Sequence, residues 1–513
     1  MRDHQYTGEV STRVVLVTGK IACSHLENIA DEARSKLKID TAVLCLPIPV
    51  AAMITAEYLA RELPRYRDVV YGADLIVVPG FASGDMRLVK QVIGVEVVKG
   101  PRYAHDLIHV LKLVTEGLKL SPLEPADEVL AEYLRDREYK VLSQSRSKAS
   151  ANKVFEIGGL PVSSEYPLLI AEVYADVTSV NVENLMYSDI IVIGAPYGAP
   201  HERVKELVEN IRRATGKPVG IDSPELNLVL ELAESVELIN GVPVDMVDQL
   251  VNYADTIGDK PIVITSPQHS AEERVSVLLE AHDKLRRAGF KRIILDPVLS
   301  PPLIGLSESL KAYIELKRRA RSIPLLMGVG NVTELADVDS VGLNALLAFI
   351  GVELGVELFL TTEASVKTRG CIRELRRALD MAVVARELKR PPKDLSLNLL
   401  YLKSKKHTTL KLPTAREIVE AREKHKVIPD PRGYFKIHVD HDLDTIVLQH
   451  YRYDSKEPTL EIRGKDPYCI LRVLIERNLA SRLDHYFYIG YELAKAEIAL
   501  KIGREYVQDE NLF

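Results

Sequence analysis

The chain has 513 residues, with 67 Lys and Arg against 73 Asp and Glu, and a formal net charge of −6. This length suggests about two to four domains, and a composition that is 46% hydrophobic and 27% charged excludes the disordered, collagen-like and low-complexity classes. The mildly acidic balance argues against a large nucleic-acid-binding surface, because such a surface needs an excess of Lys and Arg.

The four cysteines lie far apart in the sequence and form no C-x-x-C pair. They are Cys23, Cys45, Cys371 and Cys469. Neither a disulfide framework nor a zinc site is predicted from this spacing. We therefore expect four reduced, partly buried thiols.

Targeting signals are also missing from the pattern. The N-terminal residues carry charges where a signal peptide needs an apolar run. The most apolar stretch, residues 341–360, contains Asn344, Glu353 and Glu357, which are costly at the centre of a bilayer. It is typical of a buried helix followed by a strand, so we expect a cytoplasmic protein.

The first third of the chain alternates strand-like and helix-like segments. Apolar runs at 13–22, 41–54 and 73–86 end in Gly or Pro turns, and helical patterns separate them. This alternation predicts a parallel sheet with covering helices, a Rossmann-like α/β domain over residues 1–121. The polar, charged residues 122–152 are predicted to form a linker region that carries a helix.

From about residue 153 the alternation restarts and becomes more regular. Eight short apolar runs follow, most of them with an amphipathic helix behind: LLIAEVYAD, SDIIVIGAP, KPVGIDSP, SVELINGVP, KPIVITSP, RIILDPVL, IPLLMGVGN and GVELFLTTE. Such runs are typical of parallel strands buried on both faces. Eight of these units in roughly 250 residues predict a central (β/α)8 TIM barrel, which we place at residues 153–392.

The chain changes character after the barrel. Residues 393–432 are interpreted as a basic connection, and residues 433–513 combine strand-like runs with alternating faces and two helical patterns. The sequence therefore predicts a small α+β domain at the C-terminal end.

Polar residues follow the predicted barrel strands where these strands end, and in such barrels the active site lies at that face. They are Glu172, Asp222, Asn240, Ser266, Gln268, Asp296, Asn331, Thr361, Thr362 and Glu363. Carboxylates accept paired N–H donors, and carboxamides offer a donor and an acceptor. The edge of a 2-amino-4-oxo-pterin presents such groups. No histidine cluster accompanies these residues, so no metal site is predicted.

The same residues also have structural interpretations. Asp222 and Asp296 each precede Ser or Pro and would equally cap a turn, and Asn240 before Gly241 would suit a turn. Their joint occurrence at successive strand ends favours a site. The His- and Asp-rich segment 438–444 fits a strand running into an Asp-rich turn as well as it fits a metal site.

The segments GIDSP, LINGV, LDP and GVGNVT, on the third, fourth, sixth and seventh strands, resemble the pterin-binding domain of the dihydropteroate synthase superfamily. That superfamily also includes methyltetrahydrofolate:corrinoid methyltransferases, and the three-part chain resembles the archaeal dihydropteroate-synthase-related proteins. The resemblance implies that Asp222, Asn240 and Asp296 bind the amino-pyrimidine edge of a pterin, and that Asn331 binds the ring and takes part in catalysis. The further residues expected at the barrel mouth are Glu172, Gln268, Thr362 and Glu363.

The resemblance to the synthase branch implies the function that we predict first, condensation of a dihydropterin diphosphate with an arylamine in folate or tetrahydromethanopterin biosynthesis, with Mg²⁺ assisting. This chain departs from that pattern. Residues 330–333 replace the Ser-Arg-Lys expected after the seventh strand, and Glu363 stands near the place of the anion-binding Arg-x-His. Departing pyrophosphate needs positive charge, so Glu363 opposes this reaction unless Mg²⁺ or the later Lys367 and Arg369 compensate.

The methyltransferase branch matches other residues. GVGNVT resembles the segment whose Asn approaches the pterin N5, and IAE on the first strand also resembles that branch. The implied reaction moves the N5-methyl of a tetrahydropterin to a corrinoid, with Asn331 hydrogen-bonding N5. A non-catalytic pterin-binding subunit is the third alternative. The expected partners are a pterin and either a second copy of the chain or a corrinoid protein, with neither nucleic acid nor a membrane.

Overall fold

In the computed structural model, the described residues are 12–176, 182–268, 270–393, 395–404, 417, 419–421 and 428–513. The chain divides into two compact units, Met1–Gln144 with Val384–Asn398, and Ser145–Val383 with Leu399–Phe513. The predicted domain boundaries stay predictions, and most of the predicted connection 393–432 lies outside the described residues. None of the described helices is long and apolar enough to cross a membrane.

The first unit contains a Rossmann-like sheet of four parallel strands in the order β2-β1-β3-β4. The strands are β1 (Arg13–Gly19), β2 (Asp40–Leu46), β3 (Leu75–Val78) and β4 (Glu96–Lys99). The helices are α1 (Cys23–Glu32), α2 (Ala56–Glu62), α3 (Arg67–Val70), α4 (Arg87–Ile93), α5 (Leu107–Thr115) and α6 (Ala126–Val129), and α7 (Ala131–Ala151) leads into the second unit.

The apolar sequence of β1 is explained by burial on both faces of the sheet. Val15 and Val17 belong to one core cluster, and Val14 and Leu16 belong to the other. Successive strand side chains point to opposite faces, so a strand covered by helices on both sides needs an unbroken apolar run.

Two of the four cysteines form a disulfide, so the prediction of four reduced thiols is wrong for this pair. Cys23 begins α1 and Cys45 lies in β2, and their Cα atoms are 5.7 Å apart. Cys371 is a buried free thiol, and Cys469 is exposed rather than partly buried. The pairing joins elements that are 22 residues apart, which no local cysteine spacing reveals.

The second unit is built around a (β/α)8 TIM barrel, as predicted. A hairpin of β5 (Phe155–Ile157) and β6 (Leu160–Val162) precedes it. The barrel strands, all parallel, are β7 (Leu168–Tyr174), β8 (Ile190–Gly194), β9 (Val219–Asp222), β10 (Leu238–Pro243), β11 (Ile262–Thr265), β12 (Ile293–Asp296), β13 (Leu326–Gly328) and β14 (Leu358–Thr362). A parallel bridge between Leu295 and Leu325 joins β12 to the start of β13 and completes the ring.

The barrel helices follow the strands in chain order. They are α8 (Val182–Leu185), α9 (His201–Thr215), α10 (Leu226–Leu232), α11 (Val247–Leu250), α12 (Ala254–Ile257), α13 (Ala271–Ala288), α14 (Leu306–Arg319), α15 (Gly330–Thr333), α16 (Ser340–Leu354) and α17 (Cys371–Glu387). The apolar stretch 341–360 forms α16 and the start of β14, which confirms the predicted buried helix followed by a strand.

The hairpin closes the amino-terminal end of the barrel. Ile157 and Val162 share a buried cluster with inward side chains from the beginnings of the strands, among them Leu168 and Leu358. A Cβ on Gly158 would fall against Pro218, which directly precedes β9. The opposite, carboxyl-terminal end is therefore the open mouth.

A small α+β domain follows the barrel. An antiparallel sheet of β15 (Tyr434–Asp440), β16 (Thr445–Tyr451) and β17 (Leu460–Gly464) is covered by α18 (Pro467–Glu476) and α19 (Leu483–Ile502). Phe435, Ile437 and Leu448 pack from the sheet against Ile489 and Leu493 of α19.

Candidate functional site

Strand alternation directs a ring of polar side chains into the barrel mouth. Leu168, Ile170, Leu238, Ile294 and Leu360 belong to the apolar cluster inside the barrel. Side chains two residues further along a strand share its face. By this relation, five polar side chains point into the barrel at its mouth, those of Glu172, Tyr174, Asn240, Asp296 and Thr362. Thr265 is inward by the same relation to Val263.

Asp222 at the end of β9 and Asn240 within β10 form one hydrogen-bonded pair. Asn240 Nδ2 donates to Asp222 Oδ2 over 2.6 Å. Asn240 Oδ1 is buried and has no hydrogen-bond partner within the described residues. Rather than forming a turn, Gly241 lies at an irregularity inside β10, where its φ of +73° favours glycine and a Cβ would overlap the Asp222 carboxylate. Burial raises the pKa of Asp222, and the Asn240 hydrogen bond opposes this.

Asp296 is a buried carboxyl whose orientation is set from two sides. Its Oδ1 accepts hydrogen bonds from the Tyr313 hydroxyl and from the Val298 backbone N–H, each over 2.7 Å. Burial raises the pKa of Asp296 to about 6, and both hydrogen bonds oppose that rise. Since both bonds end on Oδ1, Oδ2 is the oxygen left to bind a ligand.

Arg274 holds the loop that follows Asp296. This side chain is almost fully buried and donates to the backbone oxygens of Gln268, Pro297 and Val298 and to Ser300 Oγ. It therefore ties the loop after β11 to the loop after β12. Sequence reasoning missed Arg274 and Tyr313, because both lie on helices rather than at strand ends.

Glu172 occupies a gap in the wall of the mouth. Gly194 of β8 leaves this gap, since a Cβ there would lie 2.7 Å from Glu172 Oε1. Burial, and then the charge of Asp222, raise the pKa of Glu172 to about 7. The Tyr174 hydroxyl hydrogen-bonds to Glu172, and burial raises the pKa of this tyrosine to about 12. Glu172 thus holds its proton to a higher pH than an ordinary carboxyl.

Asn331 lies in α15, just after β13, rather than in the strand itself. A Cβ on Gly328 would lie 3.3 Å from Asn331 Nδ2 and 3.9 Å from Asp296 Oδ2, so both groups border the same small space. Thr362 ends β14, the strand between β13 and β7, and its hydroxyl donates to the Glu172 backbone oxygen over 3.2 Å. The structure thus brings six of the candidates to one mouth: Glu172, Asp222, Asn240, Asp296, Asn331 and Thr362.

Four candidates have other environments. Gln268 is exposed, and its backbone oxygen is the atom bound by Arg274. Thr361 alternates with the inward Leu360 and Thr362 and so faces the helices. Ser266 is fully buried just after β11, and its hydroxyl has no partner within the described residues. Glu363 accepts hydrogen bonds from Asn184 Nδ2 over 2.7 Å and from the Ile372 backbone N–H over 3.2 Å, at the start of α17.

The two later cations are bound elsewhere. Lys367 pairs with Asp337 over 3.0 Å, and Arg369 donates to the His441 backbone oxygen in the C-terminal domain. Within the part of the chain that the structure describes, no trio of His, Cys, Asp or Glu ligand atoms at the mouth lies close enough together to hold a metal ion. The mouth is therefore lined by carboxyl, amide and hydroxyl groups.

Comparisons with known proteins cover the flanking domains and the whole chain. A family model described as PterinBD-DUF4346 matches residues 429–509, and the "Family of unknown function (DUF6513)" matches residues 12–102. The protein called "Uncharacterized protein MJ0107", from Methanocaldococcus jannaschii, is 31% identical over 534 residues, which are 98% of this chain and 99% of that protein. A Ycf91-like protein of Nostoc is 30% identical over 16% of this chain and 83% of that protein.

Solved structures similar to the chain include dihydropteroate synthases. The Yersinia pestis enzyme is 17% identical, with a TM-score of 0.37, over 45% of this chain and 99% of that one. The Thermus thermophilus enzyme is 20% identical, with a TM-score of 0.33, over 42% of this chain and 93% of that one. A truncated 3-deoxy-D-arabino-heptulosonate 7-phosphate synthase from Thermotoga maritima is 15% identical, with a TM-score of 0.35, over 46% of this chain and 92% of that one. Enzymes of different chemistry thus score alike.

Proposed function

This chain belongs to the same family as the Methanocaldococcus jannaschii protein MJ0107, and we propose that its barrel binds a reduced pterin and transfers a group to or from it. The observation that carries the proposal is the set of half-buried Asp222 with buried Asn240 and Asp296 at one mouth, in which Asn240 Oδ1 has no partner within the described residues. A buried acceptor without a partner is costly, and a bound ring with an N–H donor would satisfy it.

The hydrogen-bonding edge of a pterin fits these groups. Its 2-amino and ring N–H groups form a paired donor, which a carboxylate accepts on two oxygens. Asp296 Oδ2 and the Asp222 carboxylate supply such acceptors, and the carboxamide of Asn240 complements a ring amide. A site built from buried polar groups rejects an analogue that lacks the matching groups by roughly four to five orders of magnitude.

Of the two transfer reactions, the mouth favours methyl transfer from N5 of a tetrahydropterin. In this reaction the N5–CH3 bond breaks, its electron pair stays on N5, and the methyl group passes to an electron pair of the acceptor. N5 must carry a proton for its bond to weaken. Asn331 is placed beside Asp296, where its carboxamide oxygen would accept a hydrogen bond from protonated N5.

A corrinoid acceptor would supply a nucleophilic metal centre, and exposed apolar side chains in the loops around the mouth support a large planar group of this kind. Tyr197 follows β8, and Leu303 and Ile304 follow β12. All three are largely exposed to solvent, Leu303 completely. These side chains would give the acceptor an apolar surface above the pterin. The aliphatic side chains of Leu303 and Ile304 offer a phosphate neither positive charge nor a hydrogen-bond donor.

The synthase-type condensation is the second candidate, since the same ring edge would bind in the same place. It requires stabilisation of departing pyrophosphate. Lys367 and Arg369 are engaged by Asp337 and by His441, so the positive charge would have to come from Mg²⁺ bound with the substrate. The engaged cations are the reason why methyl transfer is preferred.

Pterin binding is tested first, by titrating the purified full chain with a pterin, a methyl-tetrahydropterin and a pterin diphosphate in a fluorescence or calorimetric assay. Asp222→Asn and Asp296→Asn should each weaken binding by at least about tenfold. Asp245→Asn is the matched control, because Asp245 is an exposed aspartate in the segment after β10. Equal affinity in all four proteins would rule the proposal out.

The reaction is tested next, with the methyl-tetrahydropterin and a reduced cobamide as acceptor. Methyl-cobamide formation followed by absorbance supports methyl transfer, and Asn331→Ala should abolish it while pterin affinity changes little. Release of pyrophosphate from a dihydropterin diphosphate and an arylamine would instead establish the synthase reaction. Tight binding with neither activity would leave a pterin-binding subunit.

A further inference from the structure

Helix α19 carries apolar side chains on both of its faces. Its inner face, with Ile489, Leu493 and Ala496, is buried in the C-terminal domain. Its outer face exposes a second apolar row, which we call the outer stripe: Leu483, Phe487, Tyr491, Ala494, Ile498 and Ile502. An exposed apolar row of this length is typical of an interaction surface. Within the part of the chain that the structure describes, no element packs over the outer stripe.

The outer stripe has a symmetric spacing. Its residues follow one another at intervals of four, four, three, four and four, which keeps them on one helix face. The two outer positions at each end carry large side chains, and the two central positions carry one aromatic and one small side chain. Leu483 and Ile502 are equally far from the helix midpoint, as are Phe487 and Ile498, and Tyr491 and Ala494.

An identical helix running antiparallel would match this spacing position by position. Phe487 of one copy would face Ile498 of the other, and the large Tyr491 ring would lie over the small Ala494 side chain. Asp484 at one end and Lys501 at the other end would also be brought opposite each other. Asp484 already pairs with Arg482, and Lys501 pairs with Glu497, within one chain. The pairing of two copies therefore rests on the matched apolar side chains.

The exposed area is on the scale of a stable interface. The five large side chains of the outer stripe are between 41% and 87% exposed, which at about 150–250 Å² for a full side chain amounts to roughly 600 Å². The largest apolar patch of an ordinary monomer is about 300–600 Å², and a standard interface buries about 800 Å² on each partner. A helix of this length, about 28 Å, supplies most of that area.

We propose that the outer stripe of α19 is a homodimer interface, in which two copies of the chain pair their C-terminal helices antiparallel about a two-fold axis. The axis passes between Tyr491 and Ala494, so that the same patch serves on both copies, as two-fold symmetry requires. The proposal does not depend on which ligand the barrel binds.

Sedimentation equilibrium of the full chain tests the proposal. The wild-type protein should have twice its chain mass of 57.3 kDa at concentrations of about 1–50 µM. Phe487→Lys alone and Ile498→Glu alone should each raise the dimer dissociation constant by at least about 30-fold. Combining the two in one chain places Lys opposite Glu across the axis, and should restore dimerisation to within about tenfold of the wild type.

The double variant separates this geometry from any other use of the stripe. Residues 487 and 498 lie too far apart on one helix to compensate each other, so rescue requires an antiparallel second copy. Leu443→Lys is the control, because Leu443 is an exposed leucine in the β15–β16 turn of the same domain, and it should leave the dimer unchanged. A monomeric wild-type chain, or a double variant as weak as the single ones, would overturn the proposal. Circular dichroism verifies that every variant is folded.

Discussion

Replacing Tyr313 with Phe removes one hydroxyl and leaves the buried ring in place. The Tyr313 hydroxyl donates to Asp296 Oδ1 over 2.7 Å, and this bond lowers the pKa of a carboxyl that burial has raised to about 6. A hydrogen bond to a charged group is worth about 1.5–3 kcal/mol. Its loss should therefore raise the pKa of Asp296 by about one to two units.

The shift has a definite effect on ligand binding. The ionised Asp296 carboxylate accepts hydrogen bonds on both oxygens, whereas the protonated form does not, so pterin affinity should follow the ionised fraction. With a pKa near 7.5 instead of 6, that fraction falls roughly tenfold at pH 6.5 but by less than about twofold at pH 8.5. Tyr313→Phe should thus bind almost normally in base and poorly in weak acid.

Fluorescence titration with a reduced pterin between pH 5.5 and 9 measures this change. Tyr166→Phe is the matched control, since Tyr166 is another buried tyrosine that donates to an aspartate, Asp380, over 2.8 Å, at the start of the barrel away from the mouth. Its variant should keep the wild-type binding midpoint. The reasoning is refuted if Tyr313→Phe loses affinity equally at every pH, or if its midpoint does not move.

Three further predictions concern two residues of the barrel mouth and the disulfide of the first unit. Gly194→Ala places a Cβ 2.7 Å from Glu172 Oε1, so pterin affinity should fall about tenfold. Gly342→Ala is the control, because a Cβ there meets nothing within 4 Å. Equal affinities of the two variants would contradict the role of Gly194 in making room for Glu172. Folding raises the pKa of Glu172 from 4.5 to about 7, so the folded state holds this proton more tightly and loses stability as pH rises through that window. Glu172→Gln should therefore stabilise the protein by up to roughly 3 kcal/mol at pH 8 and have no such effect at pH 4.5, as measured by denaturant unfolding; a gain at both pH values would contradict this. Cys23→Ser opens a 22-residue link and should cost about 3 kcal/mol in oxidising buffer, with no difference from wild type under reducing conditions.

The barrel, and the place of three candidate residues at its mouth, can be predicted from the sequence because they depend on local pattern. Each buried parallel strand has its own apolar run, and Asp222, Asn240 and Asp296 directly end such runs. Tyr174 and Thr265 could have been found in the same way, since each lies two residues after an inward position. Extending the inward–outward alternation of each strand past its last apolar residue identifies both of them.

Other features depend on contacts between distant parts of the sequence. Tyr313 and Arg274 reach the mouth from helices, and their own segments look like ordinary amphipathic helices. Glu363 follows a strand as the other candidates do, yet its carboxylate accepts a hydrogen bond from the backbone at the start of α17. The Cys23–Cys45 bond likewise depends on how α1 packs on β2. Tertiary packing decides these cases, and periodicity does not record it.

The hairpin that closes the amino-terminal end of the barrel leaves the carboxyl-terminal mouth as the open end. If Asp222 and Asp296 hold a pterin ring as proposed, the ring lies deeper in the mouth than a second reactant that enters after it. The pterin would then bind before its partner and leave after it. Steady-state kinetics should consequently show compulsory-order binding, with the second reactant trapping the first at high concentration.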